Sequence, residues 1–139
     1  MKYIVDKAET RGYFDHGWLK TYHTFSFADY YNPGRMQFGA LRVLNDDTVA
    51  PGKGFGMHPH NNMEVVSIPL QGYLRHGDNV KNERTITPGE IQMLPPAICP
   101  LPSWFSFHFV PFVIEPSEPN EMLFFQMWLW SNAHPAIRL

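Results

Sequence analysis

At 139 residues, with 44% hydrophobic and 17% charged side chains, the chain can bury a core and is too apolar to remain disordered. Its 11 basic and 13 acidic residues leave a net charge of −2 and form no block of either sign, which argues against direct binding to a phosphate backbone. Cys99 is the only cysteine, so an internal disulfide is excluded, and the opening run Met1 to Lys7 lacks the apolar stretch of a signal peptide. The most apolar region, 98–114, is broken by Pro100, Pro102 and Pro111 and carries His108, so it does not read as a membrane span. These features predict a cytoplasmic protein of one domain, 1–139, without membrane contact.

Thirteen prolines and ten glycines punctuate the chain at intervals that suit short strands better than long helices. Tyr22 to Phe27 alternates aromatic and polar residues and predicts a strand, followed by a turn over Asp29 to Gly34. Met36 to Leu44 predicts a second strand with Met36, Phe38, Ala40 and Leu44 on one face, interrupted by Arg42 and closed by Asn45-Asp46-Asp47. Val49 to Gly52 then turns. Met63 to Leu70 is dense in apolar and β-branched residues, with Pro69 marking an edge or a bulge. Gly72 to His76 reads as a strand leading to a hairpin turn at Gly77-Asp78-Asn79, with His76 facing solvent. Arg84 to Thr87 and Glu90 to Leu94 flank Pro88-Gly89, the favoured central pair of a type II turn. Met122 to Trp130 is the last strand, apolar except at Gln126. No segment sustains a helical period, so the expected class is all-β, a sandwich or small barrel.

The segment Gly52 to Glu64 carries the most chemistry. His58 and His60 are separated by one residue, so on a strand both belong to one face, with Cα atoms roughly 6.5–7 Å apart. Glu64 shares their parity and joins them if the strand runs unbroken. Imidazoles with a carboxylate suit iron, zinc, nickel or copper better than calcium or magnesium. The plainer reading is a polar loop next to a hairpin. Gly52, Gly54 and Gly56 are not followed by the Lys-Ser or Lys-Thr of a phosphate-binding loop, so tight turning is their expected role.

Several adjoining stretches together resemble the amino-terminal domain of the pirin family, within the cupin superfamily. They are His23 to Tyr31, Phe38 to Asp47, Gly54 to His60, Met63-Glu64 leading to Gly72, and Thr87 to Met93, covering about residues 12 to 93. The resemblance implies a cupin-like jelly-roll β-barrel whose mouth holds one metal, usually iron. It implies His58 and His60 as the first two ligands, with Glu64 supporting the site from behind them. The family's second pair, a His-x-Glu, has no counterpart here. The segment 94–115 departs from the pattern, which resumes near Pro116 and runs through Phe124 to Trp128.

Among the other candidates, His108 and Glu115 are seven residues apart and face opposite sides of a regular strand, which Pro111 is expected to break. His108 is therefore expected to pack among Trp104, Phe105, Phe107 and Phe109. His16, His23 and His134 read as structural, His23 as a brace for the barrel, and Cys99 lacks the basic neighbour a nucleophile needs. Two functions from different classes follow from the resemblance. One is a metal-binding pirin-like protein with a regulatory or vestigial role, binding a small aromatic molecule or a protein partner. The other is an oxygenase of the quercetin 2,3-dioxygenase type using a cupin-bound iron. Without the second cupin domain typical of pirins, Phe124, Trp128 or Trp130 are expected to lie exposed and favour a homo-oligomer.

Overall fold

The computed structural model describes residues 5–60, 63–77, 83–94, 108–113 and 122–130; for 57–60, 77, 108–113, 122 and 130 the description is of the backbone. After a single 3-10 turn at Ala8–Thr10, every regular element is a strand. They are β1 (Gly12–Asp15), β2 (Leu19–His23), β3 (Leu41–Val49), β4 (Phe55–His60), β5 (Met63–Gln71), β6 (Leu74–Gly77), β7 (Glu83–Ile86), β8 (Gln92–Leu94), β9 (His108–Val113) and β10 (Met122–Trp130). One sheet runs β1-β2-β3-β10-β5-β8 and the other β4-β9-β6-β7, with every pairing antiparallel. This is the two-sheet jelly roll expected of a cupin. Among the described residues, no helix is long and apolar enough to cross a membrane.

The core lies where the sheets meet. Val49 and Phe124 from the first sheet pack with Leu74 and Ile86 from the second, and Trp18, Leu19 and Phe55 close around them. Phe124 has no exposed surface. Instead of lying bare, it anchors the interior, because β10 is the central strand, paired with β3 on one side and β5 on the other. Trp128 is half-buried, and Trp130 lies outside the described side chains. The exposure expected of this strand therefore does not hold for Phe124.

Several strand boundaries move. The strand expected from Tyr22 starts earlier, at Leu19, and ends at His23. The strand expected at Met36–Leu44 starts only at Leu41 and runs on through Asn45-Asp46-Asp47 to Val49. Its buried face is Val43, Asn45, Asp47 and Val49, the parity opposite to that of Met36, Phe38 and Ala40. Asn and Asp are poor strand formers taken alone, but here they are fixed by neighbours on both sides. The turn at Pro33-Gly34 is as expected, with the Arg35 N–H donating to Asn32 O at 2.9 Å. At Pro88-Gly89 the Glu90 N–H donates to Thr87 O at 3.0 Å and Gly89 takes φ +96°, the left-handed value a type II turn demands.

Pro69 sits beside a register shift against β10, and β8 pairs only with Val65–Ser67, so no donor is missed on that side. Pro111, expected to break its strand, lies inside β9. It falls at the register irregularity between Phe55 and His58 of β4, where the ladder already lacks a regular bond. The hairpin turn expected at 77–79 and Cys99 fall outside the described residues. His76, expected in solvent, is buried on β6 beside Leu74.

Candidate functional site

The buried face of the first sheet carries an unusual row. Reading across by register, His23 of β2 lies opposite Asn45 of β3, Asn45 opposite Gln126 of β10, Gln126 opposite Ser67 of β5, and Ser67 opposite Gln92 of β8. All five are polar, and the first four are buried. On one side the neighbouring row is apolar, Val43, Trp128, Val65 and Leu94; on the other it is Thr21, Asp47, Phe124 and Pro69. A polar stripe through the middle of a sheet interior costs stability unless its groups find partners.

Some do. His23 Nδ1 lies 2.8 Å from Asn45 Oδ1, and the bond forms when Nδ1 carries the proton and donates it. Burial holds the His23 pKa below its ordinary value; the Asn45 bond opposes this and His16 adds to it. A neutral ring protonated at Nδ1 keeps a bare lone pair on Nε2. Phe14 and Phe27 flank the ring at centroid distances of 5.5 and 5.4 Å, so His23 does brace the barrel. Other groups in the stripe have no partner. The Ser67 hydroxyl and the Gln92 carbonyl are buried without a hydrogen bond among the described residues.

A cavity of about 250 Å³ opens against this stripe. Thr21, His23, Asn45, Asp47 and Gln126 make its polar wall; Leu19, Phe27, Phe55 and Trp128 make its apolar one. Phe27 meets Trp128 edge-on at 5.2 Å, and Trp18 braces Phe55 at 5.3 Å, so two of the aromatic walls are held by ring contacts. Asp47 is 2% exposed. Burial pushes its carboxyl up to about 7, the neighbouring Asp46 adds to the rise, and the Thr21 hydroxyl opposes it. Ala28, at the cavity rim, has φ +48° in the tight Phe27–Tyr30 turn, a conformation usually left to glycine.

The sequence pointed to His58 and His60, and both lie on β4, two positions apart and so on one face of the second sheet. Antiparallel β9 places His108 directly opposite His60 and Val110 opposite His58. The expectation that His108 simply packs among aromatic neighbours omitted this cross-strand neighbour. Glu64 is not on that face: β4 ends at His60, and β5 begins at Met63 in the other sheet, where Glu64 takes the parity opposite to buried Val65 and Ser67. Gly52 turns with φ +70° ahead of β4, whereas Gly56 lies within the strand. Among the described residues, no group of three His, Cys, Asp or Glu side chains gathers at one point.

The cavity residues were largely missed from sequence. Gln126 was visible as the one polar residue in an apolar strand, but Asn45 and Asp47 read as a strand end because their burial comes from β2 and β10, far away in the chain.

Comparison with known proteins fits this architecture. The family model described as Pirin matches residues 5–97, ending inside the divergent segment 94–115. A quercetin 2,3-dioxygenase of Escherichia coli strain K12 is 49% identical over 88 residues, which is 63% of this chain and 38% of that protein. A pirin-like protein of Caulobacter vibrioides is 49% identical over 80 residues, 58% of this chain and 34% of its own length. The bacterial pirin YhhW of Escherichia coli, solved in complex with nickel(II), superposes with TM-score 0.78 at 38% identity, covering 89% of this chain and 50% of that one. The chain thus spans half or less of the length of these relatives. With the family model matching well over half of its residues and the jelly roll in place, the chain belongs to the pirin family of cupins.

Proposed function

We propose that this chain is a metal-binding pirin-type cupin in which His58 and His60 hold a divalent transition metal, iron first among zinc, nickel and copper. The observation that carries the reading is the register of β4 and β9: two histidines on one face of a strand, with His108 opposite the second. Two histidines at alternate positions of β4 and a third at the register position opposite one of them are residue types suited to these ions and foreign to calcium or magnesium. His108, from the segment that departs from the family pattern, stands where a further donor is needed. Nickel(II) in the Escherichia coli relative supports the same class of ion. Such an ion supplies Lewis acidity and, if iron, oxygen chemistry; the chain supplies a strand-borne scaffold for it and a ring-lined cavity.

Elemental analysis after metal loading tests this. Wild type is expected to retain close to one equivalent at pH 7.5 and less at pH 5.5, since ligating imidazoles must be neutral. The double variant His58→Ala/His60→Ala is expected to retain none. Equal retention by wild type and the double variant would place the ion elsewhere.

A second reading, an oxygenase opening a flavonol such as quercetin, draws on the activity named for the Escherichia coli relative and on the aromatic walls of the cavity. Its test is the loss of flavonol absorbance with iron-loaded protein under oxygen. We further propose a cytoplasmic location and self-association of the chain. The outer face of the first sheet supports association, where Met93, 65% exposed, continues the apolar row of Val66, Met127 and Leu44.

A further inference from the structure

We propose that the loop 26–35, between β2 and β3, is a lid over His23 and the cavity mouth, and that the Asp6–Arg35 ion pair is the latch that holds it shut. The device works with or without an ion at His58 and His60.

The loop is built to move as one piece. The Ser26 N–H donates to Arg35 O at 2.7 Å and closes its base. The Ser26 hydroxyl accepts from the Asn32 N–H at 2.9 Å and lies within donating distance of the Asn32 and Arg35 carbonyls, at 2.9 and 3.1 Å. Phe27 and Tyr30 exchange two backbone hydrogen bonds, at 3.0 and 2.9 Å, across the tip. Ala28, Asp29, Tyr31, Pro33 and Gly34 face solvent, whereas the Phe27 and Tyr30 rings lie against His23 at centroid distances of 5.4 and 6.4 Å. Phe27 also meets Trp128, and Phe27 and Ala28 both line the cavity. His23 is only 4% exposed, so displacing the loop uncovers its ring and widens the mouth together.

The tie at the base is ionic and comes from outside the sheets. Arg35 donates to the two carboxylate oxygens of Asp6 at 2.8 and 3.1 Å, a bidentate pair, and to the Thr10 hydroxyl at 3.2 Å. Asp6 belongs to no strand. Its footing is Arg11, which donates to Asp6 O at 3.4 Å and stands 3.8 Å from Asp46 of β3. The Thr10 hydroxyl bond holds the Asp6 carboxyl below its ordinary value, burial opposes this, and Arg35 and Arg11 add to the lowering, so the latch is charged at neutral pH. Arg42 adds one further bond, to Ser26 O.

Two features favour opening. The Arg35 and Asp6 side chains stay 27% and 32% exposed, so water competes for the pair and it re-forms as readily as it breaks. At the tip, Ala28 is held at φ +48°, a strained conformation that persists only while the surroundings impose it. Release of the latch therefore relaxes the tip, and the rings of Phe27 and Tyr30 are left as the closing force.

Carbethoxylation of His23 by diethyl pyrocarbonate at pH 7.5 reads the opening. Trypsin places His23 on peptide 21–35 and exposed His16 on peptide 12–20, so His16 serves as the internal reference. Relative to His16, His23 is expected to react about three- to tenfold faster in Asp6→Asn than in wild type, and about two- to fivefold slower in Ala28→Gly. The wild-type rate is expected to vary little with urea below the unfolding transition, because a lid exposes far less surface than unfolding does. Equal His23 rates in wild type and Asp6→Asn would overturn the proposal. So would faster labelling in Ala28→Gly, or labelling of His23 that occurs only with the steep urea dependence of global unfolding.

Discussion

Replacing Asp47 by asparagine should remove a pH dependence from the stability of this fold. In the folded chain the Asp47 carboxyl is raised from 3.8 to about 7, chiefly by burial. Between those values the folded state holds a proton that the unfolded chain has released, so stability is greatest below about pH 4 and falls as pH rises to about 7. The full shift corresponds to about 4 kcal/mol, and the portion lost between pH 5 and pH 8 is about 2.5 kcal/mol. His23 works in the opposite sense: its lowered pKa adds stability that is lost as pH falls below its unfolded value. That contribution is common to both proteins and cancels in the comparison. Urea unfolding of wild type and Asp47→Asn at pH 5, 6, 7 and 8 measures the difference directly. Asp47→Asn is expected to gain on wild type by about 2.5 kcal/mol across that range. A difference constant to within about 0.5 kcal/mol, the usual scatter of such comparisons, would refute the placement of an ionisable Asp47 among buried side chains.

Phe124→Ala should cost about 3–5 kcal/mol in the same assay, because a fully buried ring between the sheets leaves a cavity on removal. Gly12→Ala should destabilise by about 1–3 kcal/mol, since the added Cβ would run into the Tyr30 ring and force it aside. Ala28→Gly should stabilise by about 0.5–1 kcal/mol by relieving the left-handed turn, read as a higher urea midpoint at unchanged slope. Sedimentation equilibrium should show a dimer or larger species at high concentration, and Met93→Lys should shift it toward monomer.

Much of this fold could be read from residue order. Met122–Trp130 is a strand over the predicted span, because an apolar run of this length suits a strand buried between two partners. Pro88-Gly89 fixes its own turn through local dihedral preference, which needs no tertiary information. The misreadings share another cause. Polarity alone points Asn45, Asp47 and His76 toward a strand end or solvent, yet their burial is decided by strands brought alongside from distant parts of the chain. Pro111 reads locally as a breaker, while its position at a ladder irregularity depends on β4. That His58 and His60 share one strand face is legible from spacing alone, whereas the position of His108 opposite His60 follows from strand pairing and from nothing local.

The place of β10 also bears on how the chain is made. β3 ends at Val49 and β10 begins at Met122, so a translating ribosome adds about 70 residues before the strand between β3 and β5 exists. At ordinary synthesis rates that interval is roughly 4–15 s. Throughout it β3 presents an open edge, joined by that of β5 once Gln71 has been added, and the pocket for Phe124 stands empty, a state suited to pairing with other nascent chains. Expression should therefore depend on temperature and chaperone supply more steeply than the stability of the finished barrel would indicate.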